Sequence, residues 1–195
     1  MTTPLLDKTL NLIDSENQND PKQCTEQGKV MGVETLYAKR MLLTLQAFVT
    51  SPSEPLILAC YAQHVCRWKI ARSEYPTGLS GYLKWRTDLA KLHASILASA
   101  MQSAGYQKTD IERAKHIIQK KNLTNDSESQ TLEDVSCLVF LSYYLDDFAK
   151  KHSSEKIVDI IKKTWSKMSE KAHQSALKIK LPEHLEILVK QALSH

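Results

Sequence analysis

The amino-acid sequence predicts an all-α protein that forms a single compact domain of seven or eight helices. Apolar residues recur three and four positions apart through most of the chain, and no segment shows the two-residue alternation of a half-buried strand. The 195 residues include only five glycines and six prolines, and so few turn-forming residues indicate long helices with few tight turns. No sheet is therefore expected.

The composition also limits the class of protein. No apolar run approaches the roughly 18 residues that a membrane-spanning helix needs, and the N-terminus lacks the basic and apolar regions of a secretory signal. The four cysteines form no Cys-x-x-Cys pair and are expected to be reduced. We therefore expect a cytoplasmic protein with no membrane partner. The net charge of +4 permits an anionic small molecule or a nucleic acid as ligand without requiring either.

The expected elements begin with a short amphipathic helix over about residues 5–13, followed by a polar loop over residues 15–28. Residues 1–30 thus form an N-terminal helix and loop, and residues 31–195 form the helical domain. Pro55 suits a first helical turn, Gly105 suits a helix end, and Pro182 opens a short last helix. The remaining helices are expected at about residues 33–49, 55–70, 81–104, 108–121, 128–151 and 155–179.

Chemically distinctive residues are concentrated between Gln63 and His93. Two of the seven histidines, two of the three tryptophans and three arginines lie in this stretch. A helical hairpin that served packing alone could use Leu, Ala, Lys and Glu instead. The concentration indicates a functional site.

Two histidines and two acids have the order of a helical metal site. Histidine and carboxylate ligands from several helices are a recurring way to hold a divalent metal, and the order resembles that of the HD phosphohydrolases. The predicted metal ligands are His64, His93 and Asp134, with Glu133 as general base. Ala94 stands where the HD pair has its aspartate. The alternative is that both histidines are hydrogen-bonded core residues.

The arginines near these histidines predict an anion site, because a guanidinium group binds phosphate or carboxylate bidentately. On helices, His64 would share a face with Arg67, and Arg86 would share a face with His93. Salt bridges to nearby carboxylates are the alternative for the arginines. Aromatic residues from Trp68 to Trp85 could stack on a base or simply anchor the fold. The predicted substrate-binding residues are Arg67, Arg72, Arg86, Tyr75 and Gln130.

A second basic segment runs from Lys162 to Ser169. Its fragment Lys167-Met168-Ser169 resembles part of the Lys-Met-Ser-Lys-Ser loop of class I aminoacyl-tRNA synthetases. No strand–helix alternation accompanies the fragment, so we ascribe the match to chance. The lysines could extend the positive rim of a site, or they could form a solvated helix face.

Seven stretches of sequence resemble one family. They are Glu34–Met41, Ala62–Trp68, Arg72–Pro76, Gly81–Arg86, His93-Ala94, Gln130–Leu141 and Lys163–Ser169. Together they resemble the domain of unknown function 4202, found in bacteria and fungi, over about residues 33–193. The resemblance implies that Ala94 belongs to the family pattern and that a family arginine is missing near Leu79. Some fungal relatives are labelled glutamyl-tRNA synthetase.

The leading hypothesis is an HD-like helical protein that binds a phosphorylated or nucleotide-like small molecule. With a divalent metal of unspecified identity, it would be a metal-dependent phosphohydrolase. One alternative is a non-catalytic tRNA- or translation-associated binding module, in which the same arginines and the lysines of residues 162–167 contact phosphates. Another is a helical scaffold whose polar cluster fixes the packing. The sequence specifies no oligomeric state.

Overall fold

A computed structural model describes residues 3–194 of the chain. The described part contains ten α-helices and one two-stranded antiparallel sheet, which confirms the all-α class. Within it, no helix has the length and apolar character needed to cross a membrane. The chain divides into a first unit that ends at Leu132 and a second unit that begins at Glu133. The separate N-terminal region of residues 1–30 stays a prediction.

The first unit is built from five helices, a hairpin and the start of a sixth helix. Helix α4 packs against α1 and α5, α5 also packs against α3, and α2 packs against α3. Thr3 and Ser53 cap α1 and α3 through their side chains, and Gly105, at φ 107°, ends α4 in the left-handed conformation that glycine favours. The elements are α1 Pro4–Asn17, β1 Gln23–Glu26, β2 Lys29–Gly32, α2 Val33–Phe48, α3 Glu54–Tyr61, α4 Gly78–Ala104, α5 Lys108–Ile118 and α6 Ser127–Val139.

The hairpin corrects the expectation of a polar loop and no sheet. Strands β1 and β2 pair from Gln23 opposite Gly32 to Glu26 opposite Lys29. The two turn residues, Gln27 and Gly28, both have positive φ, at 50° and 77°, as a type I′ hairpin turn requires. Strands of four residues are too short to show a sustained alternation, so the periodicity of the sequence did not reveal them.

The predicted helix over residues 55–70 was too long, because α3 ends at Tyr61. Cys66 adopts a left-handed conformation at φ 53°, and its backbone N–H donates to Oδ1 of the buried Asn17 at 3.0 Å. This hydrogen bond ties the chain to α1 in a conformation that a continuing helix would not allow. Short 3-10 turns follow at Arg67–Lys69 and Arg72–Glu74. His64 therefore lies in the connection after α3 and Arg67 begins a 3-10 turn, so the two do not share the face of an α-helix.

The second unit continues α6 through a π-helical turn and adds four helices. Helix α8 packs against α7 and α10. The predicted helix over residues 155–179 is in fact two helices, because the Ser169 hydroxyl accepts a hydrogen bond from the N–H of Ala172 and begins a new helix. Breaks of this kind explain why the helices outnumber the predicted seven or eight. The elements are the π turn Phe140–Tyr144, α7 Leu145–Ala149, α8 Ser154–Trp165, α9 Glu170–Ala176 and α10 Glu183–Leu193.

The start of α2 depends on a carboxylate from another part of the chain. Gly32 occupies the N-cap position and has no side chain to accept a hydrogen bond. The carboxylate of Asp20, which is only 4% exposed, accepts instead from the N–H of Glu34 and from the N–H of Lys22, each at 2.9 Å. Asp20 thus fixes both the entry to the hairpin and the first turn of α2.

Replacing Asp20 with Ala should lower the free energy of unfolding by about 1–2 kcal/mol, because the first turn of α2 loses its cap. Urea denaturation followed by circular dichroism measures the change. Asp147→Ala is the matched control, since Asp147 is 73% exposed and pairs with the exposed Lys150. It should change the free energy by less than about 0.5 kcal/mol. Equal losses in both variants would contradict the capping role.

Candidate functional site

Five polar and aromatic side chains of the first unit form one cluster around a histidine. We call Glu34, Tyr37, His64, Arg67 and His93 the His64 cluster. The ring of His64 stacks on Tyr37 with centroids 3.8 Å apart and planes 11° apart. Nδ1 of His64 lies 3.3 Å from Oε2 of Glu34, and Nε2 lies 3.1 Å from Nη1 of Arg67. The centroid of the His93 ring is 6.1 Å from that of His64.

Three parts of the fold supply these residues. Glu34 and Tyr37 are three apart in the first turn of α2, so they share a face. His64 and Arg67 follow α3 on the irregular segment that Asn17 holds in place, and His93 lies in the middle of α4. Glu34 and Tyr37 were not among the predicted site residues. Their only signal was that they lie within Glu34–Met41, one of the stretches that carry the family resemblance.

The hydrogen bond with Arg67 fixes the tautomer of His64. A guanidinium group only donates, so Nε2 of His64 accepts from Arg67 and Nδ1 carries the proton, 3.3 Å from Oε2 of Glu34. Burial lowers the pKa of His64 well below its usual value, and the positive charges of Arg67, Lys120 and Arg86 lower it further. His64 is therefore neutral.

The carboxyl group of Glu34 neutralises the positive charge of Arg67 only in part. Burial raises the pKa of Glu34 to about 7, against the lowering effect of Arg67. The carboxyl group is therefore partly protonated at neutral pH. Burial also lowers the pKa of Arg67, and Arg86 adds to that effect while Glu34 opposes it. The His64 cluster thus has an excess of positive charge.

Two buried polar atoms that have no hydrogen-bond partner among the described residues lie on His93 of the cluster and on Gln63, which precedes His64 in the chain. They are Nε2 of His93 and Oε1 of Gln63. His93 is only 4% exposed, and burial together with the nearby charge of Arg67 lowers its pKa to about 3, so its ring is neutral. Unpartnered buried polar groups are costly and uncommon in folded proteins. They mark a place where a ligand or water would be stabilised.

A row of two aromatic rings, flanked by an arginine side chain at each end, leads from the cluster to the protein surface. The guanidinium carbon of Arg67 lies 4.8 Å from the ring centroid of Trp85, and the rings of Trp85 and Tyr82 are 5.9 Å apart. The guanidinium carbon of Arg86 lies 6.0 Å from the Tyr82 ring. The buried Trp85 donates from Nε1 to the carbonyl of Ile70 at 3.0 Å, which fixes its ring. We call Arg67, Trp85, Tyr82 and Arg86 the arginine–aromatic row.

The expected shared face of Arg86 and His93 is only approximate. His93 and Leu89 are buried, whereas Arg86 is exposed. The buried face of α4 follows a four-residue spacing through Trp85, Leu89, His93 and Leu97, and a helix turns past 360° over each such step. The buried face therefore rotates along the helix. At the level of Arg86 it is centred near Trp85, and Arg86, about 100° further round the helix, points to solvent.

Arg72 and Tyr75 have local partners. Nη1 of Arg72 donates to the carbonyl of Tyr75 at 2.9 Å, and the Tyr75 hydroxyl donates to Oδ2 of Asp88 at 3.0 Å. These bonds tie the loop before α4 to that helix. Gln130 is half-buried on α6. The substrate-binding roles of Arg72, Tyr75 and Gln130 stay predictions.

The predicted acids Glu133 and Asp134 belong to the second unit, and both are buried. Oδ1 of Asp134 accepts from the N–H of Ser169 at 2.8 Å, and Oδ2 accepts from the Ser169 hydroxyl. Because Ser169 caps α9, Asp134 holds the start of that helix. Within residues 3–194, neither unit contains three or more His, Cys, Asp or Glu side chains grouped as a metal site. The metal role of Asp134 and the catalytic role of Glu133 stay predictions.

Two clefts lie elsewhere on the molecule. A cleft of about 280 Å³ in the first unit lies beside α1 and α4, where Glu16, Lys69 and Ser99 are among its lining residues. A cleft of about 440 Å³ in the second unit lies beside α8 and α10, at Lys162 and Trp165. Neither cleft is lined by a residue of the His64 cluster.

Comparison with known proteins gives one match. A family model described as Domain of unknown function (DUF4202) matches residues 7–189. No curated protein and no solved structure matches the chain.

Replacing Glu34 with Gln should make stability less sensitive to rising pH. The folded-state pKa of Glu34, about 7, lies above its ordinary value of 4.5, so its contribution to stability is complete below pH 4.5 and is lost as the pH rises through 7. We subtract the free energy of unfolding of the unmodified protein from that of Glu34→Gln. This difference should rise by about 2–3 kcal/mol between pH 5 and pH 7.5 and then level off.

Urea denaturation at several pH values measures this difference, in which titration of all other groups largely cancels. Glu186→Gln, at an exposed position of α10, is the control for removal of one negative charge. Parallel stability curves for Glu34→Gln and the unmodified protein would show that Glu34 is an ordinary carboxylate.

Proposed function

The chain belongs to the family described as Domain of unknown function (DUF4202), and we propose that its first unit binds a phosphorylated small molecule at Arg67 and Arg86. The observation that supports this most is the excess positive charge of the His64 cluster. Arg67 and Arg86 each lower the pKa of His64, and the nearest carboxyl group, Glu34, is partly protonated at neutral pH. A phosphate group would neutralise this charge and satisfy guanidinium donors in a bidentate manner.

The open hydrogen-bonding atoms suit such a ligand. Neutral His93 offers Nε2, and Gln63 offers the acceptor Oε1. A phosphorylated molecule carries phosphate acceptors and hydroxyl donors, so one ligand can satisfy both kinds of atom. The cluster would therefore gain hydrogen bonds as well as charge balance when the ligand binds.

An HD-like fold with metal-dependent phosphohydrolase activity is the more specific form of this proposal. In the present arrangement the donors do not fit a divalent cation well. Nε2 of His64 accepts from the cation Arg67 and Nδ1 carries the proton, so neither nitrogen of His64 offers a free lone pair. A metal ligand must offer a free lone pair, and a neighbouring guanidinium repels a cation. We therefore base the proposal on anion binding and derive no step through a metal.

Metal analysis of the purified protein tests the more specific form directly. From the donor geometry we expect no stoichiometric divalent metal after dialysis against buffer containing added Zn²⁺, Mn²⁺ or Mg²⁺. Inductively coupled plasma mass spectrometry measures the content. One bound metal per chain that is lost in both His64→Ala and Asp134→Ala would restore the phosphohydrolase hypothesis and its predicted ligands.

Inorganic pyrophosphate is the simplest probe of the anion site. Isothermal titration calorimetry should show binding to the unmodified protein, weakened about 10- to 100-fold in Arg67→Lys and in Arg86→Lys, because lysine keeps the charge but loses the bidentate fork. Arg86 is exposed, so Arg86→Lys should leave the melting temperature unchanged.

Arg113→Lys is the matched control for these variants. Arg113 pairs with Asp126 and Glu128 in the same unit, so its replacement should lower the melting temperature without changing pyrophosphate affinity. Absence of pyrophosphate binding, or equal affinity in all variants, would overturn the proposal. Salt-dependent RNA binding without pyrophosphate binding would instead favour a nucleic-acid-binding module.

A further inference from the structure

We infer that the phosphorylated ligand is a mononucleotide, whose base stacks on Tyr82 while its phosphates contact Arg86 and Arg67. The inference rests on the proposed function and adds a ligand class to it. Its basis is a stripe of exposed side chains on the first turns of α4, next to the arginine–aromatic row. We call Leu79, Tyr82, Leu83 and Arg86 the α4 stripe.

The α4 stripe is an exposed apolar surface that packing does not explain. Its members are spaced by three, four and seven positions from Leu79, so they share one face of the helix. Leu79 is 72% exposed, Leu83 is 53% exposed and Tyr82 is 40% exposed. Isolated exposed apolar residues are common, but three contiguous ones beside a charged group are typical of a binding surface.

The stripe and the His64 cluster are joined through the arginine–aromatic row. Trp85 is buried with its indole N–H bonded to Ile70, so the neighbouring Tyr82 is the aromatic ring that remains accessible to a ligand. Arg67 lies on the inner side of the row, and Arg86 lies on the outer side. A ligand at this position meets an aromatic ring and two leucines together with two guanidinium groups.

This combination matches the chemistry of a nucleotide. A base is flat and apolar enough to stack on a tyrosine, and guanidinium groups bind the attached phosphates. Inorganic phosphate alone would use the arginines and leave the apolar stripe in water. Alternating aromatic and cationic side chains also bind single-stranded nucleic acids, with successive bases on successive rings. Here a single ring of the row, that of Tyr82, is exposed. We therefore assign a ligand with one base rather than a single-stranded nucleic acid.

The experiment compares ligands that share a phosphate chain and differ in the base. Isothermal titration calorimetry is performed with inorganic tripolyphosphate and with adenosine, guanosine, cytidine and uridine triphosphates. We expect at least one nucleotide to bind tenfold or more tightly than tripolyphosphate, within the range measured for base–aromatic stacking. In Tyr82→Leu, which keeps apolar bulk but removes the ring, this preference should fall to about threefold or less. The preference is a ratio of two affinities measured in the same variant, so any effect of the substitution on the phosphate contacts of Arg86 largely cancels.

Tyr143→Leu is the matched control, because Tyr143 is 41% exposed and lies in the second unit. It should keep the nucleotide preference, and melting temperatures of both variants verify that they are folded. Equal affinity for tripolyphosphate and all four nucleotides would overturn the inference and leave the proposed function intact. A preference that persists in Tyr82→Leu, or tight binding only to single-stranded oligonucleotides, would also overturn it. Failure of every phosphate ligand to bind would overturn both.

Discussion

The partly buried guanidinium group of Arg67 is the interaction on which the polar interior of the first unit depends. It donates to His64, lies over the ring of Trp85 and faces the partly protonated Glu34. Because Arg67 cannot lose its proton at physiological pH, its charge lowers the pKa of His64 and opposes the burial that raises the pKa of Glu34. The histidine is neutral and the carboxylate is held short of full ionisation by burial. The tautomer of His64 follows from the same contact, since only an acceptor nitrogen can face a guanidinium.

The backbone places Arg67 there through two buried side chains of the N-terminal region. Asn17 accepts the N–H of Cys66 and holds the chain out of the helix that its sequence would otherwise continue. Asp20 accepts the N–H of Glu34 and sets the first turn of α2, from which Glu34 and Tyr37 reach His64. The hairpin follows these two residues and leads directly into α2. Asn17 and Asp20 therefore help to position the His64 cluster, although neither belongs to it.

The all-α class and most helix positions could be predicted because apolar spacing is a local property of the sequence. The end of α3 could not be predicted in this way. It depends on the hydrogen bond of Cys66 with Asn17, which lies 49 positions earlier in the chain. His64, Arg67 and His93 were expected in one site, and the structure brings them together. Glu34 and Tyr37 were missed because nothing local separates them from other helical residues.

In the second unit, too, a contact between residues far apart in the sequence decides the role of a side chain. The order of histidines and acids along the sequence predicts Asp134 as a metal ligand. Its hydrogen-bond partner in this unit is Ser169, 35 positions later, at the N-terminus of α9. A buried carboxylate is expected to have a partner, because burying an unpaired charge is costly. Which partner it finds depends on the tertiary structure.

Stability alone does not account for the His64 cluster. Replacing a buried polar network with well-packed apolar residues is often neutral or stabilising, and a partly satisfied network is the least stable arrangement. Among the described residues, Nε2 of His93 and Oε1 of Gln63 have no hydrogen-bond partner, and burial keeps Glu34 only partly ionised. An anion with hydrogen-bonding groups would supply a partner for His93 and balance the charge of Arg67, whereas closer packing would do neither. This difference is the physical argument for the proposed binding role.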